Sequence, residues 1–154
     1  TSVLLVCSAN ICRSPMAEGL LRRELQQLGL QKQVKVDSAG THASQTGRAP
    51  DPRARLVCQQ HGIEIGQCRA RQVSQRDFER FDHILAMDAN NHEWLLQACP
   101  EEYRHKIAAI GCRLQGSDRL YIPDPYYGNQ QGFREVFVLL GAAVEAFAAE
   151  EFAR

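Results

Sequence analysis

Residues 3–15 read Val-Leu-Leu-Val-Cys-Ser-Ala-Asn-Ile-Cys-Arg-Ser-Pro, and no other stretch constrains the fold as tightly. An uncharged apolar run that ends in a polar turn fits a buried strand over 2–6. A proline then opens a segment, about 15–28, in which Met16, Leu20, Leu21, Leu25 and Leu28 recur at helical spacing before Gly29 stops it. The alternation continues with a strand at 34–38, a polar loop at 40–52 and a helix at 53–61 that ends at Gly62. A strand at 81–87 and a helix at 93–98, broken by Pro100, come next, and then a weaker strand at 107–110. Turn formers fill 111–131, and a last helix carries Phe133, Val136, Phe137, Leu140, Val144 and Phe147 on one face. Strands that alternate with helices pair in parallel through right-handed crossovers. The expected fold is therefore a three-layer α/β/α sandwich around a four-stranded parallel sheet. In such sheets ligands bind beyond the carboxyl ends of the strands, and the turn at 7–14 falls there.

With 154 residues, a single domain over 1–154 is expected. Acidic and basic residues balance at 18 each, so no global field would draw the chain to nucleic acid or to an anionic membrane. Its ligand must be recognised locally. No apolar stretch approaches the roughly 18–20 residues of a membrane span, and no basic region with a long apolar segment opens the chain, which predicts a cytoplasmic location. Six cysteines, Cys7, Cys12, Cys58, Cys68, Cys99 and Cys112, are then expected to be reduced rather than to form a disulfide scaffold.

A cysteine, an arginine and a serine on one short turn admit three readings: a metal knuckle, a redox dithiol, or a loop shaped around an oxyanion. Cysteine followed six residues later by arginine is weak alone, since a chain of this composition yields about 0.6 such pairs by chance. Here only Cys7 has arginine at that offset, Ser14 follows it, and the pair lies between an apolar strand and a helix start. A turn entering a helix N-terminus gathers backbone N–H groups around an anion and adds the positive end of the helix dipole. Arg13 can grip two further oxygens in a planar fork. The same surroundings favour the thiolate form of Cys7, which is the nucleophilic form. Ser14 can donate its hydroxyl to that sulfur or serve as an ordinary helix cap, and the two roles are compatible.

Cys7-Ser8-Ala9-Asn10-Ile11-Cys12-Arg13-Ser14-Pro15 resembles the phosphate-binding loop of the low-molecular-weight protein tyrosine phosphatases. The likeness runs on through Ser38-Ala39-Gly40-Thr41, Pro50-Asp51-Pro52-Arg53, Ala70-Arg71-Gln72, the stretch 81–88, and Asp124-Pro125-Tyr126-Tyr127-Gly128. The resemblance implies a metal-free and cofactor-free protein-tyrosine-phosphatase, a phosphoric monoester hydrolase acting on phosphotyrosine in proteins and on aryl phosphomonoesters through a phosphocysteine intermediate. It also allows a cognate tyrosine kinase as a partner. Cys7, Arg13 and Asp124 would be catalytic. Ser8, Ala9, Asn10, Ile11, Cys12 and Ser14 would hold the phosphate, and Tyr126 and Tyr127 would wall the pocket. Asn10 would brace the loop with support from Ser38. Cys12 would be either a second loop cysteine able to pair with Cys7 or a packed thiol.

A phosphomonoester needs its leaving oxygen protonated, and general acids contribute about 10²- to 10⁴-fold in rate. Asp124, between Pro123 and Pro125, reads alone as a turn; within the resemblance it is the acid, and afterwards the base that activates water. Three positions depart from the family pattern. Ala9 stands where glycine is usual, and its methyl is harmless only if φ stays negative. Ser44 replaces an aromatic pocket wall. Cys68 replaces a histidine expected near Asp88, which is itself either a helix cap or a functional support. The alternatives are an arsenate reductase of the same fold or a phosphomonoesterase of broader specificity. The first needs two shuttle cysteines after the third strand, where the chain has Met87-Asp88-Ala89-Asn90-Asn91. A zinc knuckle needs a second close ligand pair, which Cys58 and Cys68, with nine residues between them, do not supply.

Overall fold

A computed structural model describes residues 1–114 and 120–152. Strand β1 (Ser2–Cys7) is central and pairs in parallel with β2 (Lys35–Gly40) on one side and β3 (His83–Ala86) on the other. Strand β4 (Ile107–Ala109) pairs with β3, which gives the all-parallel order β2-β1-β3-β4. Val3, Leu4, Leu5 and Val6 are all fully buried, as a continuous apolar run must be when both faces of a parallel sheet are covered. Val3 and Leu5 pack into the cluster formed by α1 (Arg13–Gln27), α2 (Pro52–Gln60) and the last helix, here α5 (Gln130–Glu151). Leu4 and Val6 point the other way, onto Phe78, Phe81 and Leu95 of the layer that holds α3 (Gln75–Arg80) and α4 (Ala89–Ala98). The side-chain period of two along a strand thus makes the three layers.

Several boundaries differ from the sequence expectation, each for a local reason. Helix α1 begins at Arg13, two residues ahead of Pro15, because proline is tolerated anywhere in a first turn that lacks intrahelical N–H partners. Helix α4 begins at Ala89 rather than at 93, since Asp88 and Asn91 form a reciprocal capping box. Helix α3 was not anticipated; it is six residues long and opens on a Ser74–Asp77 box. Strand β3 covers only 83–86, and β2 extends to Gly40. Two short 3₁₀ turns, Glu101–Lys106 and Ile110–Arg113, flank β4. Of the expected 111–131 loop, 115–119 lies outside the described residues.

The chain leaves β1 toward β2 and later crosses to β3 on the opposite side. The loops after β1 and β3 therefore diverge, and the crevice between them is where an open α/β sheet takes its ligand.

Candidate active site

Cys7 ends β1 and is buried, its sulfur 3.0 Å from the hydroxyl oxygen of Ser14 in the first turn of α1. The loop between them is held open by Asn10, which has φ of 62° and is the one non-glycine with positive φ among the described residues. Asparagine tolerates this left-handed conformation better than most side chains. Its amide works in three directions: Nδ2 donates to Ser14 Oγ (2.7 Å) and to Ser38 Oγ (3.1 Å), and Oδ1 accepts from the Arg71 N–H (3.0 Å). The Ser38 hydroxyl donates in turn to Glu18 Oε1 at 2.7 Å, and Arg22 closes the series on Glu18. Ala9 lies outside the left-handed region, so its methyl is accommodated. Gly40 makes the opposite case: a Cβ there would sit 2.5 Å from the Ser8 carbonyl oxygen and 3.1 Å from the Asn10 nitrogen. No side chain caps the start of α1, which leaves its first N–H groups for a ligand.

Arg13, 2% exposed, is clamped from behind. Its Nη1 donates to Asp88 Oδ2 (2.8 Å) and to the Ile122 carbonyl (2.9 Å). Asp88 uses its other oxygen to cap α4 through the Asn91 N–H at 2.7 Å, so it is both the helix cap and the support for the guanidinium. Asn91 in turn donates to Ser8 Oγ at 3.0 Å. The N-terminus of α4 thereby holds the loop at Ser8 and at Arg13.

Asp124 stands 3.6 Å from Arg13 Nη2, its side chain 44% exposed. The segment before it is pinned where the Ile122 N–H donates to the Met87 carbonyl at 2.6 Å, just past β3. The segment after it is pinned by Arg53, which sequence reasoning quoted only as part of a motif. Arg53 forms a two-pronged ion pair with Asp51, donates to the Gly128 carbonyl at 2.9 Å, and lies over the rings of Phe133 (4.5 Å) and Tyr126 (5.5 Å). Tyr126 meets Tyr127 edge to face at 5.1 Å.

These parts enclose a cleft of about 300 Å³. It is lined by Cys7, Ser8, Ala9, Ile11, Cys12 and Arg13 of the loop, by Asp124, Tyr126 and Tyr127, and by Ser44, Gln45 and Arg48. Asn10 and Ser14 are buried and are not among the residues that line it. Burial, with the charge of Asp51 next, pushes the Cys12 thiol above its ordinary range. Cys68, expected near Asp88, instead lines a separate recess with Glu18 and Ser38, where burial and then the Glu18 charge push its thiol up to about 12. All six cysteines are free. Among the described residues no helix is long and apolar enough to cross a membrane.

A buried cysteine on a strand-to-helix turn, an arginine and an aspartate that line one cleft form an arrangement able to receive a tetrahedral oxyanion. Comparison with known proteins gives that class a name. The sequence model of the low molecular weight phosphotyrosine protein phosphatases matches residues 2–154. The low molecular weight phosphotyrosine protein phosphatase of Schizosaccharomyces pombe is 39% identical over 139 residues, 90% of this chain and 88% of that one. Among solved structures, a protein tyrosine phosphatase from Entamoeba histolytica with Hepes in the active site superposes with a TM-score of 0.92 at 36% identity, covering 100% of this chain and 99% of the other. Wzb of Vibrio vulnificus, in complex with benzylphosphonate, superposes with a TM-score of 0.86 at 29% identity over 97% and 98% of the two chains. The chain belongs to the low molecular weight phosphotyrosine protein phosphatase family, a family of hydrolases.

Proposed function

We propose that this chain is one phosphatase domain, 1–154, that hydrolyses phosphotyrosine in proteins, and other aryl phosphomonoesters, through a phosphocysteine intermediate. The observation that carries the reading is the convergence in one cleft of the Cys7 sulfur, 3.0 Å from Ser14 Oγ, and the Arg13 guanidinium, 3.6 Å from Asp124. In the first step the Cys7 thiolate attacks phosphorus, the bond from phosphorus to the phenolic oxygen breaks, and Asp124 delivers its proton to that oxygen. In the second, the Asp124 carboxylate takes a proton from water as the water oxygen bonds to phosphorus. The sulfur–phosphorus bond breaks, and inorganic phosphate leaves. Ser14 donates a hydrogen bond to the departing sulfur, while Arg13 and the backbone N–H groups of the loop stabilise the equatorial oxygens. An aromatic phosphonate held by the Vibrio vulnificus relative, and the Tyr126–Tyr127 wall here, support an aryl substrate. The scheme requires Cys7 to remain a free thiol, which suits a reducing, cytoplasmic compartment.

Replacing the nucleophile tests the reading: Cys7→Ser should abolish turnover of p-nitrophenyl phosphate, and a variant that keeps its activity eliminates the mechanism. Phosphate should also protect Cys7 from alkylation by iodoacetate; alkylation at the same rate with and without phosphate would mean that no anion sits over this sulfur.

A further inference from the structure

Of the charged residues that line the cleft, Arg13 and Asp124 lie close together, and Arg48 is the remaining one. It is exposed, and among the described residues it forms no ion pair. Asp51, whose charge it shares at longer range, is taken by the two prongs of Arg53. Its guanidinium contacts only a neutral group, Gln45 Oε1 at 2.8 Å, which a carboxylate could displace at little loss.

The backbone beneath Arg48 is fixed. Its N–H closes a turn onto the Gln45 carbonyl at 3.1 Å, with Gly47 at φ 89° supplying the positive angle such a turn needs. Ala70 straps the turn on both sides, accepting from the Gly47 N–H at 2.7 Å and donating to the Arg48 carbonyl at 2.8 Å. An exposed cation presented this way among the residues that line the cleft can meet what emerges from it once a phosphate is seated over Cys7. For a phosphotyrosine that is the peptide on either side of it.

We propose that Arg48 is a specificity-determining residue that selects phosphotyrosines flanked by acidic side chains, in place of an apolar grip on the ring from the Ser44 side. The inference rests on the phosphotyrosine reading above and adds the sequence context of the substrate. The test compares kcat/KM for two otherwise identical phosphotyrosine peptides, one flanked by glutamate and one by lysine, with wild type, Arg48→Gln and Arg48→Glu. Each enzyme serves as its own control, because the quantity read is the ratio between the two peptides. Wild type should favour the glutamate peptide by roughly two- to five-fold, the range of one exposed ion pair, and the preference should shrink at 0.5 M salt. Arg48→Gln should bring the ratio toward one, and Arg48→Glu should invert it. A wild-type ratio of one, or a preference that survives unchanged in Arg48→Glu, overturns the inference while leaving the phosphatase reading intact. Failure of wild type to hydrolyse either peptide, or p-nitrophenyl phosphate, overturns both.

Discussion

The cradle around Cys7 and the loop that carries Asp124 face each other across one cleft, yet they are held in contrasting ways. In the cradle Cys7, Asn10, Cys12, Arg13 and Ser14 are all buried, and the amide of Asn10 alone makes three hydrogen bonds. On the other side Asp124 has 44% of its side chain exposed and Tyr127 is 93% exposed, and among the described residues the loop's hydrogen bonds to the rest of the fold include those at its two ends, by Ile122 and by Arg53. The difference fits the roles proposed for each. Donors that stabilise a developing charge contribute most when they need no rearrangement at the moment of reaction, so the cradle is over-determined. If Asp124 is the proton donor, its loop must admit a bulky ester and release a phenol, and an exposed loop held at its ends suits that.

If that contrast holds, damage to the cradle should be far more costly than damage to the loop's anchor. Asn10→Ala removes three hydrogen bonds, two of them buried, and puts alanine, which tolerates the left-handed region less well than asparagine, at that position. We expect a loss of about 2–4 kcal/mol in stability and roughly 10²-fold or more in kcat, read by urea denaturation and steady-state kinetics. Asn10→Gly keeps the backbone angle and should recover part of the stability but little of the rate. Equal recovery of both would mean that the amide is not a brace. Gly40→Ala comes next: its methyl would meet the Ser8 carbonyl, a backbone atom that cannot swing aside. A fall of about 10- to 10²-fold in kcat/KM is expected, with phosphate inhibition weakened in parallel. Unchanged phosphate affinity would place the damage elsewhere.

The loop's anchor should give a smaller and more selective effect. Arg53→Met keeps an apolar stem against Phe133 but loses the Gly128 hydrogen bond and the Asp51 pair. Asp124 would remain attached at Ile122 and become less well aimed. For phenyl phosphate, whose leaving group needs the proton, kcat should fall about tenfold; for p-nitrophenyl phosphate, whose leaving group needs it less, the fall should be no more than about threefold. The same factor on both esters would reduce Arg53 to a purely structural support and erase the proposed link between anchor and acid.

These relations were unequally legible in the chain. The four apolar residues before Cys7 sufficed for a central parallel strand, since only a strand covered on both faces tolerates such a run. The offset of Cys7 and Arg13, with Ser14 and a helix start, pointed to an oxyanion cradle because all of it lies on one local turn. Helix α3 escaped because six residues are too few for periodicity to register, and its signal, Ser74 with Asp77 three residues on, is a capping box written with aspartate in place of glutamate. The tertiary contacts were invisible for a different reason. Asp88 divides its two oxygens between its own helix and a guanidinium 75 residues away, and Arg53 reaches Gly128 over another 75. Neither distance has a local signature; each exists only once the sheet has brought the segments after its four strands to one edge.

Acidification should separate the two regions without any change to the cleft itself. Burial alone would raise the carboxyl of Asp51, but hydrogen bonds from the Arg53 side chain and backbone N–H, together with the charges of Arg53 and Arg48, hold it below the usual carboxylate range. A carboxylate whose folded value is depressed contributes stability that is complete above its unfolded value, about 3.9, and that is lost as pH falls through the lower folded one. The Tm deficit of Asp51→Asn relative to wild type should therefore be largest between about pH 5 and 7 and should narrow steadily toward pH 3 and below. The cradle's hydrogen bonds from Asn10 involve only neutral groups, so the deficit of Asn10→Ala should persist across the same interval. Thermal melts of both variants at matched pH would settle the contrast: two deficits that narrow together on acidification would mean that cradle and anchor answer to one electrostatic network rather than to two separate sets of bonds.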